Sequence, residues 1–164
     1  MAKRWPRLVA LSLFGLSAGS ADANPVDVGG IRVQWRHSED TVEFTVTAPT
    51  SGWVAVGFNE VDNIVGAELV MMRAEAGGVH ASHRSVLGAG DDRPVELLGR
   101  GSAIVAADGA VASGRATFRL RLRHDLGAAP SLAPGSELIL ILAYSVSPDF
   151  DHHSRVRRHI RVRL

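Results

Sequence analysis

From residue 31 onward, apolar side chains recur at every second position or fill short unbroken runs, punctuated by Gly, Pro, Asp and Asn. Ile31, Val33 and Trp35 alternate with Arg32, Gln34 and Arg36, which predicts a strand with one wet face. After a turn at His37-Ser38-Glu39-Asp40, Val42, Phe44 and Val46 repeat the pattern over 41–47. Two stretches break the alternation. Over 52–58 (GWVAVGF), Trp53 and Ala55 face one way and Val54, Val56 and Phe58 the other, so both faces are apolar. The run over 137–146 (ELILILAYSV) is apolar on both faces too. Both are expected to be central strands of a two-layer structure, covered on each side. Gly52 and Gly57 suit a bend, or close approach by another backbone or a flat ligand.

The remaining elements follow the same rules. A polar loop over 59–66 leads to a strand over 67–73, and Ala76-Gly77-Gly78 turns the chain into another over 79–86. Pro94 cannot donate to a ladder, so 91–98 reads as irregular or as a short edge strand. Runs over 102–107 and 116–122 pair across a turn near Asp108-Gly109, and 155–164 forms the last strand. From residue 24 on, no segment of ten or more residues carries a convincing 3.6-residue apolar period, apart from weak signals near 91–98 and 124–129. The pattern predicts an all-β fold, an antiparallel sandwich of eight or more short strands, with no repeat to suggest a second domain.

Residues 1–23 read as an export signal preceding that domain. Lys3, Arg4 and Arg7 precede a short apolar run over 8–16, and Ala21-Asp22-Ala23 offers small residues where a signal peptidase reads. The run is far below the roughly 20 residues that span a bilayer, so no stable membrane anchor is expected. The domain then occupies 24–164, in the periplasm or secreted. Removing the signal takes away three basic residues and Asp22, leaving fifteen basic and sixteen acidic side chains. A net charge of −1 gives no reason to expect a nucleic-acid partner. The arginines alternating with apolar residues over 155–164 read as a strand with one solvated basic face.

The chain has no cysteine. That excludes disulfides, thiol catalysis, iron–sulfur clusters and covalently attached c-type haem. Any cofactor must be held by non-covalent or coordinate bonds. Of the seven histidines, His80 and His83 fall on opposite faces of one strand. His152 and His153 lie in a polar connection (SPDFDHHS) after a buried strand, and either is a candidate metal ligand through one ring nitrogen, with Asp149 or Asp151 orienting the other. Met71 and Met72 sit on an apolar strand, and one of them must point inward. No hydrolase or phosphate-binding motif occurs, and nothing makes a specific case for an enzyme.

The segment Gly52-Trp53-Val54-Ala55-Val56-Gly57-Phe58, a short loop, and Gly66-Ala67-Glu68-Leu69-Val70 resemble the core signature of DOMON domains, with Glu68 where Asp is commoner. The strand over 140–145 followed by His152-His153-Ser154-Arg155 is similar to the family's closing block, so the resemblance covers most of 28–164. It implies an exported immunoglobulin-like β-sandwich that binds haem b or, in some members, a sugar. In haem-binding members, such as the cytochrome domain of cellobiose dehydrogenase, iron lies between a methionine and a histidine. The histidine position matches His153, or His152 with a one-residue slip. The methionine position falls at about Ile64, which cannot ligate iron, so Met71 or Met72 would serve only with a shifted register. Two functions follow from the resemblance. One is a haem b electron-transfer module with a redox partner protein; the other is a non-haem binding module for a sugar, a small ligand or a partner protein. Mass spectrometry of the exported protein should find Asn24 at its N-terminus, and an intact Met1 in the cytosolic fraction would refute cleavage.

Overall fold

The computed structural model describes residues 25–164; the export signal expected over 1–23 lies outside the described residues. Eleven strands build two antiparallel sheets: β1 (Val26–Val28), β2 (Ile31–His37), β3 (Thr41–Ala48), β4 (Val54–Asn59), β5 (Glu68–Glu75), β6 (Gly78–Gly88), β7 (Asp91–Pro94), β8 (Ile104–Ala112), β9 (Arg115–Arg123), β10 (Glu137–Tyr144) and β11 (Val156–Arg163). One sheet has the order β1-β2-β3-β9-β8 and the other β11-β10-β4-β5-β6-β7. This is the antiparallel β-sandwich expected from the sequence. The weakly apolar stretch after Pro94 becomes a single 3₁₀ turn, Val95–Leu98.

In the five-stranded sheet β3 and β9 obey strict alternation, with Val42, Phe44 and Val46 on β3 and Phe118, Leu120 and Leu122 on β9 all buried inward. They meet Val54, Val56, Phe58, Val70, Met72 and Leu140 from the other sheet in one core. Phe44 and Phe58 pack across the layers with ring centroids 5.3 Å apart.

Two expectations need correction. The β8–β9 turn is not at Asp108-Gly109 but at Ser113-Gly114, where both residues have positive φ (51° and 71°), as a two-residue hairpin turn of primed type requires. Gly109 lies inside β8 instead, where a Cβ would stand 2.2 Å from the Thr117 carbonyl oxygen. The glycine permits a close approach between strands and does not reverse the chain. The second correction concerns β4 and β10. They are neighbours in the six-stranded sheet, but only their inner faces meet the other sheet. Their outer apolar faces, with that of β5, form separate clusters on the far side of the sheet.

A polar cluster is buried on the inner side of β5 and β6. Ser85 Oγ donates to Glu68 Oε1 (2.6 Å), and Arg100 donates to both Glu68 oxygens (3.0 and 3.1 Å). The Ala103 N–H donates to His83 Nδ1 (3.2 Å), which leaves the ring proton on Nε2, 2.9 Å from Glu68 Oε2. Burial alone would raise the Glu68 pKa; contacts from His83, Ser85 and Arg100, with the Arg100 charge, outweigh it and hold the carboxyl below its ordinary value. Elsewhere, His37 Nδ1 lies 3.3 Å from His124 Nε2, and burial followed by the His124 charge lowers the His37 pKa.

These shifts set a direction for acid sensitivity. A histidine whose pKa is depressed on folding binds fewer protons folded than unfolded below its ordinary 6.5, so its contribution erodes as pH falls through that value. The Glu68 contribution is present above its ordinary 4.5 and is lost as pH drops through the lowered folded value. Urea midpoints should therefore fall in two stages from about pH 8 to about pH 3. His37→Asn should flatten the first stage, and Glu68→Gln should flatten the second while lowering stability at neutral pH. Midpoints that stay level across the range would contradict both assignments.

Candidate ligand-binding site

The outer face of the six-stranded sheet is the floor of a cavity of about 530 Å³. Strand register lays the floor out in rows. In one, Arg157 of β11 stands beside Ala143 of β10, then Ala55 of β4, then Met71 of β5. In the next, His159 stands beside Ile141, then Gly57, Leu69 and Arg84. Trp53 closes one end. The centre is built from small residues flanked by larger ones, and Trp53, Ala55, Met71 and Ala143 are each only 4–5% exposed. Gly57 explains the flatness of this floor. A Cβ there would lie 2.3 Å from Leu69 Cδ2 and 3.2 Å from Ile141 Cβ, so only glycine lets both side chains lie down across it.

Two loops form the walls. The connection 60–67 is organised by Asn59, whose Nδ2 donates to the carbonyls of Asn63 (2.7 Å) and Val65 (3.2 Å) while Oδ1 accepts from the Glu60 N–H (2.8 Å). Asp62 ties this loop to His159 of β11 (2.8 Å), and Ile64 is held over the cavity. The connection 145–155 is fastened to the start of β4. The Trp53 N–H donates to the Ser147 carbonyl (3.0 Å), and the indole Nε1–H donates to the His152 carbonyl (3.1 Å). Gly52 is needed at that seam, since a Cβ would fall 2.4 Å from the Ser145 carbonyl oxygen. Phe150 drops onto the Trp53 cluster, stacked with His80 (5.6 Å) and covered by the Arg73 guanidinium (4.8 Å).

The residues singled out from sequence are separated by this arrangement. Met71 lines the cavity, and so do His152 and His153, both exposed at its rim. Met72 does not: it is fully buried in the interlayer core, because adjacent strand residues face opposite ways. The two histidines differ as well. His152 Nδ1 is engaged with Ser145 Oγ (2.9 Å) and the His153 carbonyl (3.0 Å), whereas the His153 ring takes part in no hydrogen bond among the described residues. Neither is oriented by a carboxylate, contrary to expectation. Asp149 Oδ1 instead accepts the Asp151 N–H (3.0 Å) and holds the turn.

Sequence reasoning missed Arg84 and Arg157 as lining residues; the alternation over 155–164 places Arg157 on the basic face opposite Val156 and Ile160, but does not say which neighbour that face meets. Among the described residues no three His, Asp or Glu side chains converge as a metal site. No helix among them is long and apolar enough to cross a membrane.

The fold and site define a β-sandwich that carries an apolar-floored cavity on the outer face of one sheet. Two solved structures share this architecture. The cytochrome b domain of pyranose dehydrogenase from Coprinopsis cinerea superposes with a TM-score of 0.58 at 11% identity, covering 81% of this chain and 76% of its own. The cytochrome domain of cellobiose dehydrogenase from Myriococcum thermophilum gives 0.55 at 13% identity, covering 85% and 80%. At such identities the likeness is one of fold. No family model matches the sequence, and no curated protein matches it.

The Trp53–His152 bond predicts what holds the histidine loop. Trp53→Phe should cost at least about 1 kcal/mol in global stability, the usual net worth of one hydrogen bond, with the lost ring volume adding to it. Amide exchange over 147–154 should accelerate far more than exchange in β3 or β9. Equal acceleration everywhere would show that the indole N–H does not anchor this loop.

Proposed function

We propose that the chain is a DOMON-like domain that binds haem b non-covalently in the outer-face cavity and serves as an exported electron-transfer module. The observation that carries the reading is that an imidazole free of protein partners, His153, and a thioether, Met71, border the same flat apolar floor. Imidazole and thioether are the donor pair of high-potential electron-transfer haems, and a floor with only Ala55 and Ala143 at its centre suits a planar macrocycle. The fold likeness to two cytochrome domains supports the same reading. Iron held by such a pair would exchange single electrons with a redox partner protein, while the cavity walls limit access of water.

Within this reading His153 is the candidate histidine ligand and Met71 the candidate methionine. His152 is the alternative histidine, its Nδ1 already engaged and its Nε2 left for metal. Met72 has no place, being turned into the core. Ile64, at the family's methionine position, is apolar but lies on the cavity, so a methionine there would reach the same space. That position is also what favours the second reading, a non-haem module holding a small apolar or sugar-like ligand on the same floor. An acyl-transfer enzyme finds no support: the one buried Ser, His and carboxylate set among the described residues has Ser85 donating to Glu68, not to His83.

Hemin titrated into the purified protein should give a saturable red-shifted Soret band. His153→Ala should abolish the shift, Met71→Ala should convert the complex to a high-spin spectrum, and Ile64→Met should strengthen binding and favour low spin. A wild type and an Ile64→Met variant that both fail to shift hemin would refute haem binding and leave the binding-module reading.

A further inference from the structure

The charges around the cavity are unevenly satisfied. On the β6–β7 side, Arg84 donates to the carboxylate of Asp92 and, at 3.0 Å, to its carbonyl. Arg93 donates to Asp91 at 3.0 Å. Both acids that border the cavity there are thus neutralised by arginines. On the β11 side, Arg157 borders the cavity and takes part in no ion pair or side-chain hydrogen bond among the described residues. Asp151, on the loop above, is likewise unpaired. The cavity therefore has one uncompensated cation in the plane of its floor and one uncompensated anion above it.

Position gives the cation its meaning. Arg157 stands next to Ala143 in the row that continues through Ala55 to Met71, so it marks the lateral end of the apolar strip. A flat ligand lying on Ala55 and Ala143 ends where the guanidinium begins. The other outward arginines of β11 lie further along the strand, Arg161 beside Ile139 and Arg163 beside Glu137, and neither borders the cavity. A guanidinium with all its donors free and one apolar side is built for two parallel hydrogen bonds to a carboxylate. Asp151 opposes the same group approaching from the loop side.

We propose that Arg157 is the anchor for a carboxylate of the cavity's ligand, so that the site selects flat apolar molecules bearing an acid at one edge. This rests on the haem reading in one respect: for haem b, the carboxylate is a propionate, and the macrocycle lies with its acidic edge toward β11.

The test uses metal-free protoporphyrin IX and its dimethyl ester, which need no iron ligand, titrated by fluorescence into the intact protein. Wild type should bind the diacid about ten-fold more tightly than the diester, the range expected for one charged hydrogen-bonded pair. Arg157→Gln should erase that preference while leaving ester binding unchanged. Arg157→Lys should restore part of it, and Arg161→Gln should keep it whole. Equal affinity of wild type for acid and ester overturns the assignment, as does an Arg161→Gln loss equal to that of Arg157→Gln, or uptake of neither porphyrin. A hemin shift that depends on His153 but not on Arg157 would leave the haem reading standing without this anchor. Acid-selective porphyrin binding without any hemin shift would uphold the anchor and refute iron ligation.

Discussion

A two-layer sandwich offers each sheet one covered face, yet β4, β5 and β10 are apolar on both. That mismatch governs the molecule. The inner faces meet the five-stranded sheet in the usual way, through Phe44, Phe58 and Leu140. The outer faces have no sheet to meet, and a bare patch of that kind would invite association. The chain answers with two loops and its own side chains. Phe150 descends onto Trp53, Ile64 covers the Leu69–Ile141 end, and small residues keep the middle low. What the loops leave uncovered is the cavity, where the proposed ligand would complete the burial that the protein begins.

The covering loops are held by directional bonds where there is little room to pack them. Asn59 satisfies four backbone groups of its own loop, and the Trp53 indole satisfies one carbonyl of the histidine loop. Beneath the floor, the Glu68 cluster is a different device. Glu68 shares strand β5 with Leu69 and Met71 but points inward, where Arg100 reaches it from 32 residues along the chain. It joins the β7–β8 connection to the centre of the sheet and so steadies the strand that carries the candidate methionine. Leaving that carboxylate or guanidinium alone in the interior would cost far more than the pair itself gains.

The period-two pattern made the sandwich legible, because alternation is a direct record of which side chains meet water. It also marked β4 and β10 as unusual, but it could not say what covers a second apolar face; another layer and an open cavity leave the same sequence. The β8–β9 turn was misplaced because glycine serves two purposes, and Gly109 is used for contact while Ser113-Gly114 makes the turn. Adjacent positions were easy to sort once one was known to face inward, which separates Met71 from Met72. The difference between His152 and His153 was not legible, since it depends on a hydrogen bond to Ser145 that only the folded loop creates. The pairing of Arg84 with Asp92, and so the isolation of Arg157, likewise requires the strand register.

The six-stranded sheet ends in two strands of very different character. On one side β7 is four residues long, ends in Pro94 and joins its neighbour through a bulge, so it presents little that another strand could pair with. On the other side β11 is eight residues long and regular, an open row of backbone donors and acceptors. Its arginines make that row self-avoiding. A second molecule approaching edge to edge would bring two crowded lines of guanidinium groups into register, and like charges facing across a forming ladder repel. The same residues that give the cavity its free cation thus oppose edge-to-edge pairing of this strand, and salt weakens that opposition by screening it.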